Sequence, residues 1–409
     1  MVFIVLVLIF LIDWYVFQAV KVLTKKWKHK KIVWGAYWLL TIAIALSLLQ
    51  WKFFGPQFIN PEIQRYTIVF IFIDYLSKIF AVLFLFIDDG IRLWKWIAKK
   101  AKAKSAKEPL PGKPISRSEF LAKASIGAIA LPVATLGFGI VSGAYDYRVR
   151  RKKIVIPNLP KAFDGIRIGQ LSDIHSGSFY NKQAVMGGVD LMLNEKPDLF
   201  VFTGDLVNSE TPEVKDYKDV FAKLSAPLGA YSTLGNHDYG DYRQWSSPQA
   251  KKKNLDDLVQ VHKEMGWDLL RNENRFIEVD GERIALLGVE NWGKGRFAKY
   301  GDLEKAYAGT EEAETKILLS HDPSHWDAQV RPNHPDIDLT LSGHTHGFQF
   351  GVEIGNFRWS PSQYMYEQWA DLYKKGDQQI YVNRGFGFIG YPGRVGILPE
   401  VTILELVRA

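Results

Sequence analysis

Three apolar runs, residues 1–20, 32–51 and 66–87, leave the first part of this chain few ways to fold. Each has the roughly 20 residues that a membrane-spanning helix needs. In lipid a single run satisfies its own backbone N–H and C=O groups only as a helix. The first run is interrupted only by Asp13 and Gln18 and has no basic lead-in, and two more runs follow it. It therefore reads as a retained helix and not as a cleaved signal peptide. Trp14, Tyr15, Trp34, Tyr37, Trp51, Tyr66, Trp94 and Trp96 stand near the ends of the runs, as interfacial aromatic belts do.

A fourth segment, 124–144, is apolar but rich in Ala and Gly, with Pro132 in its middle. It reads either as a span or as a helical hairpin lying on the membrane. Ser116-Arg117-Ser118-Glu119-Phe120-Leu121 precedes it and looks like a degenerate twin-arginine export signal, with Ser118 where the second arginine belongs; the other reading is a plain juxtamembrane helix start. Inside the spans, Asp74 and Lys78 are four apart on one helical face and can pair. Asp13 has no partner that the sequence reveals.

Charge divides the chain. Residues 1–153 hold 24 Lys/Arg against 8 Asp/Glu, a net of +16, and residues 154–409 hold 27 against 36, a net of −9. The overall +7 is thus no nucleic-acid signature, because the acidic half lacks the positive surface that duplex binding requires. The loop after the first span carries Lys21, Lys25, Lys26, Lys28, Lys30 and Lys31, and ten Lys/Arg lie between Arg92 and Lys123. Only Lys52 and Arg65 lie between the second and third spans. Positive loops stay cytoplasmic, so a crossing at 124–144 puts the rest of the chain outside the cytoplasm. Arg148, Arg150, Arg151, Lys152 and Lys153, directly after that segment, oppose this reading but are outnumbered by the ten. Cysteine is absent, which rules out disulfides, zinc thiolates and a cysteine nucleophile.

From Ile154 onward short β-rich runs alternate with helical periodicity at 183–194, 214–224 and 255–265, the pattern of an α/β domain. Strands are expected at 166–171, 198–203, 230–234, 284–289, 316–319, 338–341, 379–382 and 401–406. Five of them end in polar motifs: Ser172-Asp173-Ile174-His175, Gly204-Asp205, Gly235-Asn236-His237-Asp238, Ser320-His321-Asp322 and Gly343-His344-Thr345-His346. Strand ends are where open α/β sheets carry their chemistry. The glycines at 204, 235 and 343 let the backbone turn sharply enough for side chains to converge. Carboxylate, amide and imidazole groups then stand together in the number that two metal ions need.

These motifs resemble those of the calcineurin-like metallophosphoesterase superfamily over about residues 160–409. The match is to its membrane-anchored bacterial branch, whose carboxy-terminal half carries the counterpart of Tyr381-Val382-Asn383-Arg384-Gly385. The resemblance implies a four-layer α/β/β/α sandwich at 146–409, behind a membrane anchor at 1–145 with three to four transmembrane helices. It implies that Asp173, His175 and His346 bind one metal, that Asn236, His321 and His344 bind a second, and that Asp205 bridges them. Mixed oxygen and imidazole donors suit Mn, Fe or Zn. His237 would face substrate, oriented by Asp238 through its second ring nitrogen. The implied reaction is hydrolysis of a phosphomonoester, phosphodiester or pyrophosphate bond by metal-activated hydroxide.

Arg384 and Arg394 are candidates to pair with a substrate phosphate, and otherwise form structural or surface ion pairs. Gly385-Phe386-Gly387-Phe388-Ile389-Gly390 spells GxGxxG, but Tyr391-Pro392-Gly393 follows where a helix should open, so no dinucleotide site is expected. Its Phe386, Phe388, Ile389 and Tyr391 either pack or touch a lipid-like substrate or the bilayer. His325 is expected to be structural, His262 and His334 to lie on the surface, and Lys251-Lys252-Lys253 to form a solvated face. The anchor points to a substrate at the membrane, a phospholipid, nucleotide-linked lipid or cell-envelope precursor. The rival readings are a cell-envelope binding or sensor protein with a structural metal site, and a nucleotide phosphodiesterase merely tethered to the bilayer.

Overall fold

The computed structural model describes residues 2–54, 61–105, 119–295, 297–355 and 357–409. The chain divides into two compact units, Met1–Gly137 and Phe138–Ala409.

The first unit consists of α1 (Val2–Thr24), α2 (Lys30–Phe54), α3 (Pro61–Ser105) and α4 (Glu119–Val141), the last of which runs on into the second unit. All four are long and apolar enough to cross a membrane. Segment 124–144 is thus not a helical hairpin: most of it belongs to α4, which carries Pro132 inside it. Residues 116–118 of the export-like motif lie outside the described residues, and its Glu119 opens α4. Helix α3 outruns its apolar core and continues to Ser105, 45 residues in all.

Asp13 does have partners, and they lie on other helices. Its carboxylate sits 2.7 Å from Lys78 Nζ and accepts from Tyr37, Thr41 and Tyr75 at 3.0, 2.9 and 2.6 Å. Lys78 also holds Asp74 at 2.6 Å, the pairing that their spacing suggested. Three helices are therefore tied by one buried polar cluster, since Asp13 and Lys78 are both buried.

The second unit runs β1 (Arg148–Ile156), β2 (Arg167–Leu171), α5 (Lys182–Asn194), β3 (Leu199–Phe202), α6 (Lys218–Phe221), β4 (Ala230–Ser232), α7 (Pro248–Glu264) and β5 (Asp268–Leu269). It continues with β6 (Glu273–Val279), β7 (Glu282–Gly288), α8 (Leu303–Tyr307), β8 (Lys316–Leu319), α9 (Arg331–Asn333) and β9 (Leu339–Ser342). The last elements are β10 (Val352–Ile354), β11 (Phe357–Trp359), β12 (Asp371–Lys375), β13 (Gln378–Val382) and β14 (Glu400–Arg408). One six-stranded sheet has the order β1-β14-β2-β3-β4-β5, the other β12-β13-β9-β8-β7-β6, and β10-β11 stand apart as a hairpin.

The core falls into three apolar layers. Ile154, Ile168, Val201, Leu286, Ile317, Leu339 and Leu404 fill the space between the sheets. Val185, Val189 and Met192 of α5 cover the outer face of the first sheet with Phe221 and Leu258. Ala306, Trp326 and Val330 cover the second. This is the four-layer α/β/β/α sandwich. Central strands buried on both faces explain why they read as continuous apolar runs with no alternation.

Strands β2, β3 and β4 run parallel in one sheet, and β8 and β9 run parallel in the other. Their carboxyl ends gather at one edge, where the Gln170 amide donates to the Ser342 carbonyl at 3.0 Å and Asp173 N donates to Gly204 O at 2.9 Å. All five polar motifs therefore emerge together.

Several details differ from the sequence expectations. The basic run 148–153 opens β1, an edge strand parallel to β14. The helical periodicity at 214–224 breaks up into short turns around α6, while α7 starts seven residues earlier than its periodicity showed, at Pro248 behind the Ser247 cap. His262 and His334 are buried, not superficial: His262 Nδ1 meets Ser232 Oγ at 2.9 Å, and His334 meets Glu304. His325 is buried between Ser320 and Gln329, the structural role expected of it. Lys251, Lys252 and Lys253 form ion pairs with Asp241, Asp256 and Asp257 at the surface.

Candidate metal centre

The loops after β2, β3, β4, β8 and β9 converge because each must leave its strand abruptly. Gly204 does so at φ +97°, and a Cβ there would meet Gly235 N and the His321 ring. A Cβ on Gly343 would fall on the Ser172 hydroxyl and the Asp173 carboxylate, and one on Gly235 on the Asp205 carboxylate. Only glycine fits these crossings.

Two groups of donors result. Asp173, His175 and His346 form the first, and Asp205, His321 and His344 the second; in each group the ligand atoms lie within 4.8 Å of one another. In the first, His346 Nε2 is 3.2 Å from Asp173 Oδ1 and 3.0 Å from His175 Nε2. In the second, His321 Nε2 is 3.1 Å from Asp205 Oδ2, 3.2 Å from His344 Nδ1 and 3.2 Å from Asn236 Oδ1. Asp205 Oδ2 also reaches His175 Nε2 at 3.6 Å, so this one carboxylate touches both groups. All seven residues named from sequence come together.

The donor set fits divalent metal ions. In each group a carboxylate oxygen and two imidazole nitrogens converge within 4.8 Å, a mixed oxygen and nitrogen donor set that one cation can share, and His175 Nε2 comes to 3.0 Å from His346 Nε2. Burial pushes the His175 imidazole far below its ordinary range. Burial also pulls His321 down, but Asp205 and Asp173 with the Thr203 carbonyl outweigh it and raise His321 to about 10. Asp205 and its neighbours thus favour a positive charge at this spot. Outer contacts orient the ligands: the Thr203 carbonyl lies 2.7 Å from His321 Nδ1, and Tyr366 Oη lies 2.8 Å from His344 Nε2. Asn236 Nδ2 donates to Tyr242 Oη at 2.9 Å, which keeps the amide oxygen turned to His321.

Two known family models match successive parts of the chain. The "Probable Calcineurin-like phosphoesterase, transmembrane domain" model matches residues 1–144, and the "Calcineurin-like phosphoesterase" model matches residues 166–348. The "Uncharacterized metallophosphoesterase YkuE" of Bacillus subtilis (strain 168) is 30% identical over 309 residues, covering 72% of this chain and 98% of that protein. The chain belongs to the calcineurin-like metallophosphoesterase family. A "Transmembrane protein with metallophosphoesterase domain" from Danio rerio is 26% identical over 384 residues, 91% of this chain and 81% of that one. The membrane helices and the metallophosphoesterase sandwich therefore occur together in relatives, and the chain is a membrane protein of this family.

Within this metallophosphoesterase three sequence readings need correction. Asp238 does not orient His237. Its carboxylate accepts from the backbone N–H of Gly235, Asp205 and Leu206 at 2.8–2.9 Å, and burial together with Asp205 raises it to about 7. His237 Nδ1 instead meets the Asn208 carbonyl at 2.8 Å. Arg384 is fully buried, bonded to Glu400 at 2.6 Å and Glu353 at 2.7 Å, so no substrate reaches it. Arg394 is buried too: its guanidinium donates to the carbonyls of Arg384, Gly385 and Gly387 and lies 3.1 Å from His346 Nδ1. It braces the loop that carries His346. The GxGxxG stretch opens no helix, and its Phe386 and Phe388 are core residues.

Some residues around the centre carried no sequence signal. Tyr242 lies against the His237 ring, centroids 4.6 Å apart, and Phe297 against His344 at 5.0 Å. Both line a cavity of about 560 Å³ with Asn236, Asp241, Asn291 and Tyr300. They sit in irregular loops, where periodicity has nothing to mark.

Proposed function

We propose that this protein is a membrane-anchored, two-metal phosphoesterase acting on a phosphomonoester, phosphodiester or pyrophosphate bond in a lipid or cell-envelope substrate, with residues 1–145 as anchor and 146–409 as hydrolase. The observation that carries this reading is the Asp205 carboxylate, which reaches His175 of one donor group and His321 of the other. Asp173, His175 and His346 would hold one ion, Asn236, His321 and His344 the other, and Asp205 both. When bound, two such ions supply Lewis acidity that activates water and offsets phosphoryl charge. Mn, Fe and Zn suit these donors.

His237 has the position of a general acid. Its Nδ1 is committed to the Asn208 carbonyl and its backbone N–H to Asp205, so the ring is fixed beside His175 with centroids 5.0 Å apart. With Nδ1 donating to the Asn208 carbonyl, Nε2 is the ring position left to face a phosphoryl or leaving oxygen, and it donates there only from the imidazolium, which carries both protons. Tyr242 and Phe297 would bound the volume that the rest of the substrate fills.

The deciding measurement is Mn²⁺-dependent hydrolysis of bis(p-nitrophenyl) phosphate by the parent, Asp205→Asn and His237→Ala. Loss of a positioned acid costs about 10²–10⁴ in rate. The expectation is a fall of that order in both variants, with metal content kept in His237→Ala and lowered in Asp205→Asn. Equal rates in all three would leave only the binding or sensor reading.

A further inference from the structure

The hairpin β10–β11 is folded with its polarity reversed. Its register pairs Val352 with Trp359, Glu353 with Arg358 and Ile354 with Phe357, so the charged pair occupies one face and the apolar pairs the other. A surface hairpin ordinarily turns its apolar face to the core. Here the charged face turns inward. Glu353 binds the buried Arg384 at 2.7 Å, and Arg358 reaches Asp371 at 3.3 Å. The apolar face turns outward, leaving Ile354 73% and Phe357 63% exposed.

The exposed surface extends beyond the hairpin to the metal centre. Phe348, two residues after His346, is exposed, as are Phe350, Tyr364 and Met365. Met365 adjoins Tyr366, whose hydroxyl lies 2.8 Å from His344 Nε2. The segments are joined by Ser360 Oγ donating to Gly347 O at 2.7 Å and by the Phe350 and Trp359 rings at 6.5 Å. Exposed apolar side chains gathered on neighbouring segments of a folded domain in this way mark a binding surface.

We propose that this face enters the headgroup–acyl boundary of the lipid bilayer and holds the metal centre at the membrane surface. The occupant is lipid because the same chain carries four helices long and apolar enough to span a membrane. Tethering keeps a lipid surface at high effective concentration, and aromatic side chains beside aliphatic ones suit an interfacial layer. The docking stands apart from the choice of substrate. Its consequence, that a lipid phosphoester reaches the ions without leaving the bilayer, rests on the proposed function.

The chain has no cysteine, so single sites can be labelled cleanly. Ile354→Cys and Phe357→Cys in the full chain would carry an NBD fluorophore in nanodiscs of phosphatidylcholine and phosphatidylglycerol, with Lys253→Cys on exposed α7 as reference. The expected result at 354 and 357 is blue-shifted emission, strong quenching by lipid spin-labelled near its headgroup and at least several-fold weaker quenching by iodide than at 253. Iodide quenching equal to that at 253 would overturn the proposal. Protection from both quenchers would also overturn it, because a protein surface, such as a second copy, would then be the cover. Absence of bis(p-nitrophenyl) phosphate hydrolysis would count against the enzyme reading and leave this readout intact.

Discussion

Asp173, His175, Asp205, His344 and His346 all adopt left-handed backbone, with φ of 52°, 50°, 62°, 70° and 50°. Such conformations cost about 1–3 kcal/mol each for residues with a side chain and persist only where the surroundings over-determine them. The surroundings here are specific. The Asp238 carboxylate gathers the N–H groups of Gly235, Asp205 and Leu206, and Arg394 gathers the carbonyls of the 384–387 loop beside His346. Backbone strain is thus held where ligands must converge, with glycines filling the crossings. Gly235→Ala tests this directly, since its methyl group would collide with the Asp205 carboxylate. Metal affinity, read by titration against a chelator, should fall about 10–100-fold, the range for disturbed ligand support, with turnover falling alongside it. Parent-like affinity would mean that the crossing tolerates a side chain.

At the scale of elements, the strands that carry ligands were legible because apolar runs buried on both faces end in glycine, aspartate and histidine. Strand β1 was not: its alternating charges, Arg148, Arg150 and Lys152, resemble a solvated juxtamembrane stretch until β14 supplies a parallel neighbour. The convergence of the seven candidate ligands was legible as well, but the backbone role of Asp238 and the buried, structural role of Arg384 and Arg394 were not decided by sequence, because burial and backbone partners are set by distant loops. The same holds in the helical unit, where Asp13 finds Lys78 only when α1 meets α3. Removing one partner of a buried pair costs about 3–5 kcal/mol because the other charge is left uncompensated, whereas removing both is far milder. Lys78→Met should therefore lower the melting temperature of the detergent-solubilised chain strongly, and adding Asp13→Asn and Asp74→Asn, so that neither carboxylate partner of Lys78 is left charged, should recover most of the loss. A triple variant as unstable as the single one would show that this cluster does not tie these helices.

For the whole molecule, the basic residues beside the spans predict which side of the membrane the second unit faces. Ten Lys/Arg lie between Arg92 and Lys123, against the five of β1 that pull the other way. Those five are ion-paired within the folded unit: Arg148 with Asp146, Arg150 with Glu353 and Glu400, Arg151 with Glu195, Lys152 with Asp371 and Lys153 with Glu405. Orientation is set by basic residues in short loops beside the spans, while folded domains translocate largely regardless of charge. With the strand's charges discounted, we propose that α4 crosses the membrane and that the second unit lies outside the cytoplasm. Single cysteines at Lys253 on α7 and at Lys28 between α1 and α2, probed with a membrane-impermeant maleimide on intact cells, read this out. Lys253→Cys should label at once and Lys28→Cys only after lysis. The reverse pattern would place the second unit inside the cell and overturn this orientation.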